Sequence, residues 1–96
     1  MKDNILNEEY EKKSELLKII GHPIRLCILY NLYKQGSKNV TTMQDCLDIP
    51  QSTVSQHLAK LKSVGVIKGN KNGTEIKYEL IDELVVEILD VLFNNK

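Results

Sequence analysis

The sequence predicts a mainly α-helical domain interrupted by one β-hairpin. Apolar residues recur at helical spacing in four segments up to residue 64, the period switches to two between residues 66 and 80, and helical spacing returns from residue 82. The length, 96 residues, suits one domain, and 5% aromatic content favours helices over a large sheet.

The first helix is expected over residues 7–20. Leu6, Tyr10, Leu17 and Ile20 fall at helical spacing, Leu16 and Ile19 widen the stripe, and Asn4 or Asn7 caps it. Gly21 ends it, and Pro23 suits the first turn of a second helix, where its missing N–H costs nothing. That helix runs to Gly36, with Ile24, Cys27, Ile28 and Leu32 on one face and Leu29 and Tyr33 beside them, apolar enough to be central. Thr41 or Thr42 opens a short third helix through Leu47. "DIP" then forces a turn, because the residue before proline is biased away from helical angles. Gln51 or Ser52 begins the fourth helix, with Val54, Leu58, Leu61 and Val64 inward and Gly65 at its end.

In "VIKGNKNGTEIKYELI", Ile76, Tyr78 and Leu80 alternate with Lys77 and Glu79 around the turn signal "NKNG". The expected hairpin pairs Val66–Gly69 with Glu75–Leu80. The last helix, residues 82–93, is capped by Asp82 and carries a broad stripe of Leu84, Val85, Ile88, Leu89 and Leu92.

No apolar run is long enough to span a membrane, and the N-terminus lacks the apolar centre of a signal peptide, so a cytoplasmic protein is expected. Cys27 and Cys46 are too few for a zinc site and read first as small core residues in a reducing compartment. Net charge is zero, but it is segregated. Residues 50–78 carry five lysines against one acid, and residues 79–95 carry five acids and no lysine. The first segment can face phosphates; the second should stay away from them.

The fourth helix raises the functional question. Seven of its first ten positions (Gln51, Ser52, Thr53, Ser55, Gln56, His57 and Lys60) can donate a side-chain hydrogen bond, while Val54, Leu58 and Leu61 anchor it. A short helix, a tight turn and a second helix with a polar outer face form a helix-turn-helix. Gln pairs bidentately with adenine, Ser and Thr take either role, and small residues early in the helix let its end approach base edges. Helix caps are the competing use of such residues, including a capping box between Thr53 and Gln56. The hairpin, with Lys68, Asn70, Lys71 and Asn72 near its tip, would stand beside the groove as a wing. Together these make a winged helix-turn-helix: helix-turn-helix at 41–64, wing at 66–80. The wide apolar stripes of the first and last helices suit a dimer interface through Leu6, Tyr10, Leu17, Leu84, Ile88, Leu89 and Leu92. A two-fold pair would present two recognition helices to successive major grooves of double-stranded DNA, about 34–36 Å apart, on an inverted repeat.

"LLKIIGHPIRLCILYNL", "LDIPQSTVSQHLAKLKSVGVI" and "GTEIKYEL" resemble the second helix, recognition region and wing of the ArsR/SmtB family of bacterial winged-helix repressors. The resemblance covers about residues 14–92 and implies a homodimeric repressor with His57 near DNA. It also implies positions for sensing sites. The arsenic-type cysteine pair would fall at Asn39 and Thr41. The zinc-type site would begin at Asp82, continue at Leu84 and near Asn95, and end beyond Lys96. One ligand of four makes no metal site, so no metal or other cofactor is expected, and Asp82 reads as a cap. The small metal-independent members are the most similar in pattern. Redox-sensing relatives pair a cysteine of the second helix with one of the last; here Cys27 and Cys46 are the only thiols, leaving a thiol switch open. A metal-responsive repressor and a winged helix used only for protein assembly are the alternatives. No nucleophile–base–orienter set suggests an enzyme, because two histidines on separate helices and short loops leave little room for a catalytic pocket. His22 is expected to support the bend before Pro23, and Arg25 to be structural or phosphate-facing.

Overall fold

The computed structural model describes residues 8–94, apart from the side chains of Asp45 and Cys46. Its elements are α1 (Glu8–Ile20), α2 (Pro23–Gln35), α3 (Val40–Leu47), α4 (Gln51–Ser63), β1 (Ile67–Asn72), β2 (Glu75–Leu80) and α5 (Glu83–Asn94). The caps proposed at Asn4 and Asn7, the interface residue Leu6 and the side chain of Cys46 lie outside the described residues.

α2 is the central element, packed against α1, α3, α4, α5 and β2. His22 caps it, its Nδ1 accepting the Ile24 N–H at 3.1 Å, and Pro23 occupies the first turn. Ile28, Leu29 and Leu32 are buried in a core shared with Val54, Leu58 and Leu61 of α4 and Val85 and Leu89 of α5. Cys27 corrects the expectation of a core thiol: it is exposed. At about 100° per residue it stands roughly 150° round the helix from the centre of the Ile28–Leu29–Leu32 stripe.

α3 begins at Val40, one residue before Thr41 and two before Thr42, because Asn39 is its cap. The Asn39 Oδ1 accepts the Thr42 N–H at 2.8 Å. Asp48, at φ 58°, closes the helix in the left-handed conformation, its N–H donating to the Gln44 carbonyl at 2.8 Å. The turn to α4 is therefore short. No side chain caps α4; the Pro50 carbonyl accepts the N–H groups of Thr53 and Val54 at 3.0 and 3.1 Å. The capping box between Thr53 and Gln56 does not form. Val64 also departs from expectation, being exposed after the helix ends.

The hairpin is longer than expected on its first side, pairing Ile67 with Leu80 through to Asn72 with Glu75. Only Gly73 and Thr74 remain in the turn. Gly73 has φ 71° and Thr74 does not enter the positive region, the pattern of a type II′ turn that lets pairing continue to the tip. Gly69 is needed for another reason: a Cβ there would lie 2.9 Å from the Ile76 Cγ2 atom. Val66 precedes the strand and is fully buried. Its N–H donates to the Leu61 carbonyl at 3.1 Å and its carbonyl accepts from Ile81 at 3.0 Å, clasping the end of α4 to the approach of α5. Lys38 adds a third-strand bridge, exchanging backbone bonds with Tyr78 at 3.1 and 2.7 Å.

α5 is capped by Asp82, whose Oδ1 accepts the Val85 N–H at 3.0 Å. Phe93 stacks on Tyr30 of α2 with ring centroids 4.1 Å apart. The buried residues among those described are all apolar. Leu58→Ala should therefore lower unfolding free energy by about 2–5 kcal/mol, through lost transfer energy and an unfilled cavity. Urea denaturation followed by circular dichroism checks this, with a lower midpoint and an unchanged slope expected.

Candidate nucleic-acid interface

The phase of α4 is set by Val54, Leu58 and Leu61, all essentially inaccessible to solvent. Opposite them, Ser52, Ser55 and Gln56 are exposed, with Gln51 at the helix start and Lys60 a turn beyond Gln56. Thr53 and His57 are half-buried on one flank. The side chains of Gln51, Ser52, Ser55 and Gln56 have no hydrogen-bond partner among the described residues. Their donors and acceptors point outward from a rigid helix and are free for a ligand.

His57 is not a simple outward reader. Its Nδ1 lies 3.3 Å from the Arg25 Nη1, and its ring centroid lies 4.7 Å from that of His22. Arg25 also donates from Nε to the Ile19 carbonyl at 2.5 Å, joining α1, α2 and α4 at one point. Partial burial first, then the charges of His22 and Arg25, hold the His57 imidazole below its ordinary pKa.

The wing stands beside the start of α4. Gln51, Asn39, Thr74, Glu75 and Ile76 line an open crevice of about 220 Å³ between them. Asn39 was missed as a site residue. Besides capping α3 it donates from Nδ2 to the Glu75 carboxylate, tying the helix-turn-helix to the wing. An asparagine just before an apolar-periodic run is a capping signal, so the first role was legible; the bond across 36 positions was not. Within the wing, Lys68 pairs with Glu79 at 4.0 Å and Asn70 donates to the same carboxylate at 3.1 Å. Lys71 and Asn72 remain exposed near the tip.

The expected interface residues divide. Tyr10 and Leu17 of α1 and Leu84 and Leu92 of α5 are exposed, joined by Val91 at 61% exposure, while Ile88 is half-buried. Leu89 is corrected: it is fully buried within its own chain, because it follows Val85 by one helical turn on the inner face. On the edge facing α2, Asp90 accepts from the Tyr33 hydroxyl at 2.8 Å and the Asn94 Nδ2 at 3.0 Å. These bonds hold the Asp90 carboxyl below the usual range, and the Asp90 bond raises the Tyr33 phenol.

A family profile described as "Bacterial regulatory protein, arsR family" matches residues 22–68, from the cap of α2 into β1. An uncharacterized HTH-type transcriptional regulator of Methanocaldococcus jannaschii is 42% identical over 88% of this chain and 96% of its own. The transcriptional repressor PagR of Bacillus anthracis is 45% identical over 85% of this chain and 82% of its own. The chain belongs to the arsR family. The crystal structure of PagR superposes with a TM-score of 0.80, covering 88% of this chain and 95% of PagR. A predicted DNA-binding transcriptional regulator from E. coli, 28% identical, superposes with a TM-score of 0.84 over 99% of this chain and 100% of that one.

As an arsR-family member, the chain is a sequence-specific DNA-binding transcriptional regulator with a winged helix-turn-helix fold, not an enzyme. Of the residues at which the resemblance would put sensing sites, Asn39 and Asp82 serve as helix caps and Leu84 is an exposed apolar residue. Among the described residues, no three His, Cys, Asp or Glu side chains form a group able to hold a metal, and no helix is long and apolar enough to cross a membrane. Cys27 lies beside Asn31, whose Nδ2 is 3.5 Å from its sulfur.

The lowered His57 pKa has a thermodynamic consequence. As pH falls below the ordinary value of 6.5, the unfolded chain takes a proton at this site before the folded chain does. The stability due to His57 is full above 6.5 and is lost as pH falls from there through the folded value. Thermal melts from about pH 8 to about pH 5 should show a steeper acid loss in wild type than in His57→Asn. Parallel curves would mean that another group controls the acid limb.

Proposed function

We propose that the chain is a homodimeric repressor that binds an inverted repeat through α4 and the wing, without a resident metal. The observation that carries this reading is the set of exposed, unpartnered polar side chains on a helix locked by Val54, Leu58 and Leu61. Gln51, Ser52, Thr53, Ser55 and Gln56 read base edges, and Lys60, Lys71 and Asn72 contact phosphate, with Lys68 and Asn70 supporting the wing through Glu79. The similar PagR of Bacillus anthracis bears the name of a transcriptional repressor, which supports repression as the mode of action.

Surface chemistry supports dimerisation. Val91 and Leu92 are 61% and 58% exposed, and Leu84 continues their face of α5, a patch that water covers poorly. Tyr10 and Leu17 offer a second apolar stretch on α1. The acids of residues 79–95 lie on the same C-terminal segment, so its most favourable location is away from phosphate.

Replacing Gln56 with alanine should weaken operator binding by about 1–3 kcal/mol, relax base preference and leave the melting temperature unchanged. A gel-shift titration with unchanged affinity would refute its contact. Lys71→Ala should instead weaken binding to every duplex and reduce the slope of log K against log salt by about 1 per protomer. Leu92→Glu should convert dimer to monomer in sedimentation velocity and abolish high-affinity operator binding. A dimer that persists would move the interface elsewhere.

A further inference from the structure

We propose that Asn72 and Gly73 form a site of spontaneous deamidation at the wing tip, where water replaces ammonia and DNA binding is lost. The chemistry follows from the hairpin itself; its effect on DNA rests on the DNA-binding reading.

Asn72–Gly73 is the one asparagine–glycine pair in the chain. Glycine favours attack of its own nitrogen on the preceding side chain, because it has no Cβ to crowd the approach. The hairpin keeps both reactants free. Asn72 is exposed, and its side chain has no hydrogen-bond partner among the described residues. The other described asparagines are tied down through Nδ2. Asn31 donates to the Cys27 carbonyl at 2.9 Å, and Asn39 to the Glu75 carboxylate. Asn70 donates to Glu79 at 3.1 Å, and Asn94 to Tyr33 and Asp90 at 2.9 and 3.0 Å. The attacking nitrogen is equally available. Asn72 and Glu75 are the last pair of the ladder, so the Gly73 N–H lies in the turn and bonds to no described residue. Nothing lies within 4 Å of where a Cβ of Gly73 would stand, so the approach is open.

In the step itself, the Gly73 nitrogen gives its proton to solvent base and attacks the Asn72 Cγ. A carbon–nitrogen bond forms, the Cγ–Nδ2 bond breaks, and Nδ2 leaves as ammonia with a proton from solvent. Water then opens the succinimide ring at either carbonyl, giving aspartate or isoaspartate. No oxidant or reductant takes part. Both products put a carboxylate at position 72, directly across from Glu75, and like charges so opposed destabilise a sheet. Glu75 is held in place by its bond to Asn39. Isoaspartate also adds a carbon to the main chain beside the two-residue turn that fixes the register. The new charge stands next to Lys71, on the part of the wing that would meet phosphate.

The test ages the full-length protein in mildly alkaline buffer at body temperature and follows each asparagine by peptide mapping. Asn72 should convert ahead of Asn31, Asn39, Asn70 and Asn94, with isoaspartate detected by enzymatic methylation. Aged protein should bind its selected operator and a random duplex about tenfold more weakly than fresh protein, through repulsion across roughly 6 Å at two wings in a water-like dielectric. Asn72→Gln, whose longer side chain cyclises slowly, should keep its own starting affinity through the same ageing. Asn72→Asp should bind weakly from the outset. Conversion of Asn72 no faster than that of the other asparagines, with normal operator binding, would overturn this inference alone. Conversion without loss of affinity would overturn the effect on DNA and take the wing tip out of the interface. Fresh wild type that binds no duplex would overturn that effect together with the reading on which it rests.

Discussion

The rotation of α4 about its own axis is the constraint on which the rest depends. Val54, Leu58 and Leu61 are sealed in the core with α2, and each contributes roughly 1.5–3 kcal/mol by leaving water. Side chains step by about 100° per residue, so turning the helix by one position would expose a leucine and bury a glutamine or serine. That cost holds Ser52, Ser55 and Gln56 outward. A reading surface must be rigid before it can be selective, and here the apolar stripe supplies rigidity with no buried polar residue among those described.

The wing extends this rigidity. Its two-residue turn completes the pairing to Asn72, and the Lys38 bridge holds β2 from the other side. Val66 then joins the end of α4 to the strand and to the approach of α5 through three kinds of contact: burial, a bond to Leu61 and bonds from Ile81 and Asp82. Asn39 closes the circuit by bonding both α3 and Glu75. The wing and α4 consequently share a frame, and displacement of one is resisted by several independent attachments.

Much of this was legible because periodicity reports burial. The four-helix, hairpin, helix order follows from the change of period at Val66 and its return at Asp82, and Pro23 and Gly36 delimit α2 by backbone chemistry alone. The misreadings have specific causes. Spacing groups Cys27 with Ile24 and Ile28, but the stripe is centred toward Leu29 and Leu32, which places the thiol outside. Leu89 reads as outward from sequence because a wide stripe does not tell which part faces its own core. Val64 follows the last helical turn, where periodicity no longer applies. The Asn39–Glu75 and Arg25–His57 bonds span 36 and 32 positions, and no local pattern encodes such partners.

Zero net charge, at first sight an argument against a nucleic-acid partner, becomes informative once the fold separates the signs. Coulomb forces between exposed groups fade over roughly 8–10 Å at physiological salt, so a DNA strand responds to nearby charge rather than to the total. Lysines 60, 62, 68, 71 and 77 belong to α4 and the wing, whereas Glu83, Glu87 and Asp90 belong to α5. Two acids, Glu75 and Glu79, are exceptions on β2; Glu75 accepts from Asn39, and Glu79 is satisfied within the wing. The Glu79 carboxylate takes a lysine and an asparagine of β1, so it works as a cross-strand link where an unpaired acid would repel phosphate. Local pairing, not composition, decides which charges remain available for DNA.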